Sequence, residues 1–321
     1  MLVHVDKGTP SLEFCTACRT VPTLHVIVEG GTPTRLWMVA PARETRSAKR
    51  LNATRVPVAR ALVVTWKLSA SALRRMGNAL SKAKRFSFDD EFNGDVRGVT
   101  WPRDLKELEF GVKFDQPISE VAWPVSLQEL TFRGVFEQPL QGVWWPVSVQ
   151  TLCFWGVDQS LFGASWPPSL QTLAFVGAVR NESIAGITWP ASLRKLHLGM
   201  SFNQPIDTVT WPAALENLRL GLSFNQPITA VSWPTSLATL RLGGAFNQAP
   251  VGGVKWPGSL EGLKFGYDFD QPIDAVAWPP SLQQLVFRHN FNQPVHAVAW
   301  PPSLQQVTFG WDFNQPIAAV A

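Results

Sequence analysis

A Trp-Pro dipeptide returns ten times between Trp101 and Trp300, always 21 to 23 residues after the last. Nothing else in the chain limits its fold so tightly. A chain that repeats at a fixed short period builds one unit again and again, and each unit buries its apolar side only against its neighbours. After each Trp-Pro the sequence approximates x-Ser-Leu-x-x-Leu-x-Phe/Leu-Gly-x-x-Phe-Asn-Gln-Pro-Ile. One clear copy has Ser192, Leu193, Leu196, Leu198 and Gly199, then Phe202-Asn203-Gln204-Pro205-Ile206. Another has Ser281, Leu282, Leu285 and Phe287, then Phe291-Asn292-Gln293-Pro294-Val295. Two copies are degraded, at Val157-Asp158-Gln159-Ser160-Leu161 and Arg180-Asn181-Glu182-Ser183-Ile184. The array runs from about residue 86 to the end. It opens at Phe92-Asn93-Gly94 and stops inside a unit at Phe313-Asn314-Gln315-Pro316-Ile317.

A period near 22 suits one short strand and one irregular return per unit. The strand is the Leu-x-x-Leu-x-Phe segment, whose last two apolar residues alternate with a polar one. The return holds proline twice within about eleven residues, which excludes a helix there. The fold expected is a β-rich solenoid, leucine-rich-repeat-like, of about ten 22-residue coils with one parallel strand each, behind a small α+β N-terminal cap. Equivalent residues of successive coils then stack about 4.8 Å apart. The chain has 15 Trp and 20 Phe but a single Tyr, as ladders of large apolar rings would require. The Asn or Asp after each Phe (Asn203, Asn225, Asn247, Asp270, Asn292, Asn314) is expected to satisfy backbone groups at the bend and not to hold a ligand.

The motif Trp-Pro-x-Ser-Leu-x-x-Leu-x-Phe-Gly-x-x-Phe-Asn-Gln-Pro-Ile resembles the FNIP repeat family, a leucine-rich-repeat-like group. The resemblance spans about 230 residues. The family more often has Leu-Pro where this chain has Trp-Pro, a change of core packing and not of fold. Members often carry the array beside an F-box, so the resemblance implies substrate capture for a ubiquitin ligase. The Leu-Pro-rich helix that usually opens an F-box is missing from residues 1–85.

Charge separates two modules. Residues 1–90 carry 15 Lys/Arg against 6 Asp/Glu, whereas residues 91–321 carry 13 against 18. Residues 1–85 read as a basic α+β capping module and 86–321 as the repeat solenoid. In the first module Val26–Val28, Leu36–Val39 and Ala61–Trp66 are expected strands, and Ser69 can cap a helix running to about Lys82. That helix, with Leu73, Met76 and Leu80 on one face, leads into the first strand at Arg85-Phe86-Ser87-Phe88 and would cover the end of the array. The basic stretch Arg43, Arg46, Lys49, Arg50, Arg55 and Arg60 reads as a solvated loop.

Catalytic signatures are lacking. The five histidines (His4, His25, His197, His289, His296) form no HExxH pattern, and no GxSxG, phosphate loop or dinucleotide fingerprint occurs. No cofactor is implied. Cys15-Thr16-Ala17-Cys18 is a lone CxxC, and Cys153 stands apart. Reduced thiols and the lack of a signal sequence or membrane span point to an intracellular, cytoplasmic protein.

The strand residue between the second Leu and the Phe points outward. Along the array it is Glu109, Thr131, Cys153, Ala174, His197, Arg219, Arg241, Lys264, Val286 and Thr308. Four consecutive coils thus carry basic side chains, and Lys195 joins them, whereas the first coils present Glu107, Glu109 and Glu129. Like charges directly opposite across strands destabilise a sheet. The stripe Lys195, His197, Arg219, Arg241 and Lys264 is therefore a candidate site for an acidic partner. Protein is favoured over nucleic acid, since the array is net acidic. A solvated face balanced by Glu216 and Glu261 accounts for it equally. The function expected is a non-enzymatic scaffold for protein–protein interaction. The alternatives are the ligase subunit above and a redox or metal-binding protein using Cys15 and Cys18. A bare last strand invites edge-to-edge aggregation, so either the array continues in a longer chain or a partner or second copy covers it.

Overall fold

The structure, a computed structural model, describes residues 84–88, 90–249 and 251–317, together with the backbone of five earlier strands: β1 (Leu2–Val5), β2 (Leu24–Val28), β3 (Leu36–Val39), β4 (Lys49–Leu51) and β5 (Leu62–Thr65). Three of these strands stand where alternation and β-branched residues predict them. The helix expected over Ser69–Lys82, the side chains of the basic stretch and the Cys15/Cys18 pair lie outside the described residues.

One coil explains the rest. After Trp189-Pro190 the Leu193 amide donates to the Pro190 carbonyl at 3.0 Å, closing a turn that aims Leu193 inward. The strand Lys195–Leu198 follows, alternating exposed and buried. Gly199 then turns the chain with φ of 76°, a left-handed conformation that glycine adopts without strain. The next coils leave no room for a side chain at this point: a Cβ on Gly221 would overlap the Gly199 carbonyl oxygen. The return passes Phe202 and Asn203 and turns again where the Val209 amide meets the Ile206 carbonyl at 3.3 Å. Leu193, Leu196, Leu198, Phe202, Ile206 and Val209 are buried, so both sides of the coil face a single core. The result is a parallel-strand solenoid of about ten coils, as the period requires.

The chain forms two compact units, residues 13–159 with 163–170, and residues 1–12 and 160–162 with 171–321. The first contains β2–β5 and the coil strands β6 (Arg85–Phe88), β7 (Glu107–Phe110), β8 (Glu129–Phe136) and β9 (Thr151–Val157). Here β5 pairs parallel with β6, β2 parallel with β5, and β3 and β4 add antiparallel strands. The coil from Trp145 to Trp166 is one residue short. The pairing of β8 with β9 absorbs this as a bulge, the register shifting between Phe132 and Val135.

The second unit contains β1 and the strands β10 (Thr172–Phe175), β11 (Lys195–Leu198), β12 (Asn217–Arg219), β13 (Thr239–Arg241), β14 (Gly262–Lys264), β15 (Gln284–Val286) and β16 (Gln306–Phe309). All pair parallel in unbroken register. The 23-residue step from Trp233 to Trp256 takes its extra residue in the return, where Ala249 is inserted between Gln248 and Pro250 of the motif, which leaves Leu240 opposite Leu263. The open side of β16 pairs in parallel with β1, Val3 lying opposite Val307.

Ladders hold the coils together. Phe202, Phe224 and Phe246 stack at 6.1 and 6.2 Å between ring centroids, within 6° of parallel, and Trp101, Trp123 and Trp145 stack at 6.2 and 6.3 Å. Such pairs add about 0.5–1.5 kcal/mol each to what burial contributes. The asparagines act between coils. Asn225 donates its amide to Asn203 Oδ1 at 2.8 Å, and Asn247 repeats this with Asn225 Oδ1 at 2.9 Å. The motif serine links coils as well: the Ser236 hydroxyl donates to the Leu215 carbonyl at 2.8 Å, and Ser281 does the same to Leu260.

Candidate functional site

With the core facing inward, the chemistry of the array lies on the outward side of its strands. In the second unit the pairing of β11 to β14 sets His197 opposite Arg219, Arg219 opposite Arg241, and Arg241 opposite Lys264. Four basic residues thus occupy one straight row, each about 4.8 Å from the next through the backbone. Ala174 precedes the row, and Val286 and Thr308 continue it. Lys195 lies two residues earlier on β11, opposite Asn217, at the margin of the row. Beside the row Glu216 forms an ion pair with Arg194, which precedes β11.

His197 does not supply charge at neutral pH. Burial, and then the adjacent charges of Arg219, Arg241 and Lys195, push its pKa down from 6.5 to about 4. The charge of the row rests on Arg219, Arg241 and Lys264, flanked by Lys195, while His197 offers a neutral imidazole with hydrogen-bonding nitrogens.

A second outer row escaped the sequence reading. It occupies the position after the motif glycine, three residues beyond the basic row, and reads Met200, Leu222, Gly244, Tyr267, His289 and Trp311. The repeat carries its signal, but on the turn beyond the strand, where period-two alternation does not reach. Backbone hydrogen bonds fix the register: the carbonyls of Met200, Leu222, Gly244, Tyr267 and His289 accept from Ser223, Ala245, Asp268, Asn290 and Asp312 at 2.8 to 3.0 Å. Met200, Leu222 and Trp311 remain 41%, 45% and 47% exposed. The Tyr267 and His289 rings lie 5.2 Å apart, and His289 stacks on Trp311 at 6.4 Å. Arg288 donates to the Tyr267 hydroxyl at 2.8 Å, with its guanidinium 4.8 Å from the ring centroid.

The first unit has the opposite character. Arg85, Glu107 and Glu129 share one register row, and Ser87, Glu109, Thr131 and Cys153 the next. Arg85 pairs with Glu107 at 2.7 Å, and Arg133 lies 3.6 Å from Glu109. Burial, reinforced by the Glu107 charge and opposed by Arg85, raises the Glu129 pKa. A shallow depression lies among these side chains. Among the described residues no three His, Cys, Asp or Glu side chains converge as a metal site needs, and no helix is long and apolar enough to cross a membrane.

No protein-family model and no curated protein matches the chain. Solved structures do. CroV588, described as a novel circular leucine-rich-repeat protein, is 32% identical with a TM-score of 0.64 over 82% of this chain and 42% of its own. This chain is a leucine-rich-repeat-like solenoid. It spans less than half the length of CroV588. The Drosophila Toll–Spätzle complex matches at 12% identity and TM-score 0.36 over 87% of this chain and 51% of that one. A leucine-rich-repeat protein of Bacteroides ovatus matches at 10% and 0.22 over 93% and 90%. The FNIP resemblance rests on the repeated motif alone.

Proposed function

We propose that this leucine-rich-repeat-like solenoid is a non-enzymatic scaffold that binds an acidic protein surface through the strand face of β11 to β14. One observation carries the proposal: Arg219, Arg241 and Lys264 stand directly opposite one another in the parallel register. Like charges placed directly opposite across strands repel by a few tenths of a kcal/mol to about 1 kcal/mol per opposed pair. A partner's carboxylates turn the same row into an attractive field. Repeat arrays commonly bind partners over such extended faces. Lys195 widens the positive surface, and His197 donates to or accepts from whatever lies between Lys195 and Arg219.

The test is affinity capture from native lysate, with the full chain as bait beside a variant carrying Lys195, His197, Arg219, Arg241 and Lys264 all changed to Glu. Both baits are first compared by circular dichroism and thermal melting. A protein retained by the wild type and lost by the folded variant supports the proposal. Identical capture by both refutes it.

A further inference from the structure

The row beside the cations specifies more than charge. In the second unit each coil sends out a basic-row residue and, three residues later, a residue of the apolar row: His197 with Met200, Arg219 with Leu222, Arg241 with Gly244, Lys264 with Tyr267. The apolar row is continuous across its glycine. A Cβ on Gly244 would lie 3.2 Å from Leu222 Cδ2 and 3.3 Å from Tyr267 Cδ2, so the two neighbours close over the gap. Met200 and Leu222, beside His197 and Arg219, keep nearly half of their surface in solvent. We propose that these paired rows receive an amphipathic α-helix lying across the strands, its acidic stripe on Arg219, Arg241 and Lys264 and its adjacent apolar stripe on Met200, Leu222 and Tyr267. This rests on the acidic-partner reading above and names the form of that partner.

The spacing decides between a helix and an extended peptide. Three coil steps, from His197 to Lys264, span about 14 Å. A helix brings a side chain back to one stripe about every 5.4 Å, or about 16 Å for three turns. An extended chain does so about every 6.8 Å, or about 20 Å for three repeats. Further along the apolar row the rings of Tyr267, His289 and Trp311 stand 5.2 and 6.4 Å apart, which brackets the helical pitch. Charge complementarity sets the first stripe and the exposed apolar surface the second.

Basic and aromatic rows together also suit single-stranded nucleic acid, but here the two are offset. The aromatic residues Tyr267, His289 and Trp311 stand on the coils of Lys264, Val286 and Thr308. Bases stacked on His289 and Trp311 would have Val286 and Thr308 in place of the basic row, and the one cation of the His289 coil, Arg288, already donates to the Tyr267 hydroxyl.

The experiment is selection of randomised peptides of about 20 residues, displayed on phage, against the full chain, with counter-selection on Arg219→Glu/Arg241→Glu. The expected winners carry Asp or Glu every three or four positions beside an apolar stripe of the same period. Either Leu222→Ser or Met200→Ser weakens a synthetic winner by about tenfold without altering the protein's melting temperature. Acidic winners that alternate with period two overturn the helix but leave the acidic-partner reading intact. Winners indifferent to the charge reversal, no enrichment at all, or tighter binding of an oligothymidine than of any peptide would each overturn the proposal.

Discussion

Lowering the pH tests the electrostatics of the row through His197. Its imidazole titrates near 6.5 in an unfolded chain and at about 4 in the folded one, because burial and then Arg219, Arg241 and Lys195 disfavour the imidazolium. Between those two values the unfolded state binds more protons, so stability rises with pH across the window. The contribution is fully present above about pH 6.5 and is lost as the pH falls toward 4. A shift of this size corresponds to about 3 kcal/mol, most of it gone by about pH 4.5. Urea unfolding followed by tryptophan fluorescence, at about pH 7.5 and 4.5, would compare the wild type with His197→Gln. The carboxylates titrate in both proteins and cancel in the difference. The wild type is expected to lose about 2–3 kcal/mol more than the variant on acidification. Equal losses would show that the imidazole is solvated and that the cations do not act on it, which would refute the argument.

Phe224 is fully buried between the rings of Phe202 and Phe246, so Phe224→Ala is expected to cost about 3–5 kcal/mol in the same assay. Asn225 Oδ1 accepts from the Asn247 amide and from Gln248 Nε2. Asn225→Ala strands the Asn247 amide, leaves Gln248 Nε2 only the Asn225 backbone carbonyl, and is expected to cost about 1–3 kcal/mol. Asn225→Asp keeps the acceptor and should fold nearly as well, since Asp270 already accepts from the Asn292 amide at 2.9 Å. Amide hydrogen exchange at Asn247 reports on the same bond, with faster exchange expected in the alanine variant only.

The coil was legible because its rules are local and repeated. A proline pair bars a helix from the return, the alternation in Lys195–Leu198 fixes a strand, and the period aligns that strand with its neighbours. The order of the basic row followed from the same period, and the structure sets those residues directly opposite one another. The neutrality of His197 did not follow, because it depends on burial and on cations from two other coils. The bulge at Phe132 was foreshadowed by a coil one residue short, yet whether the strand or the return absorbs the change depends on packing. In the step from Trp233 to Trp256 the return absorbs it. The pairing of β1 with β16 joins segments about 300 residues apart, and no repeat announces it.

The unbroken register of β10 to β16 has a bearing on how such a protein diversifies. Deleting or duplicating one whole coil would leave every Phe, Asn and Ser ladder with a partner, because each coil meets its neighbours through equivalent atoms. Losing a single strand residue would turn the apolar side of that strand to water. Length is therefore open to inheritance in steps of one coil, while the outward positions can be exchanged singly without touching the core. The surface pattern of this molecule is in that sense a text written one character per coil, and the run His-Arg-Arg-Lys is a word that could be lengthened, shortened or moved along the array with the fold unchanged.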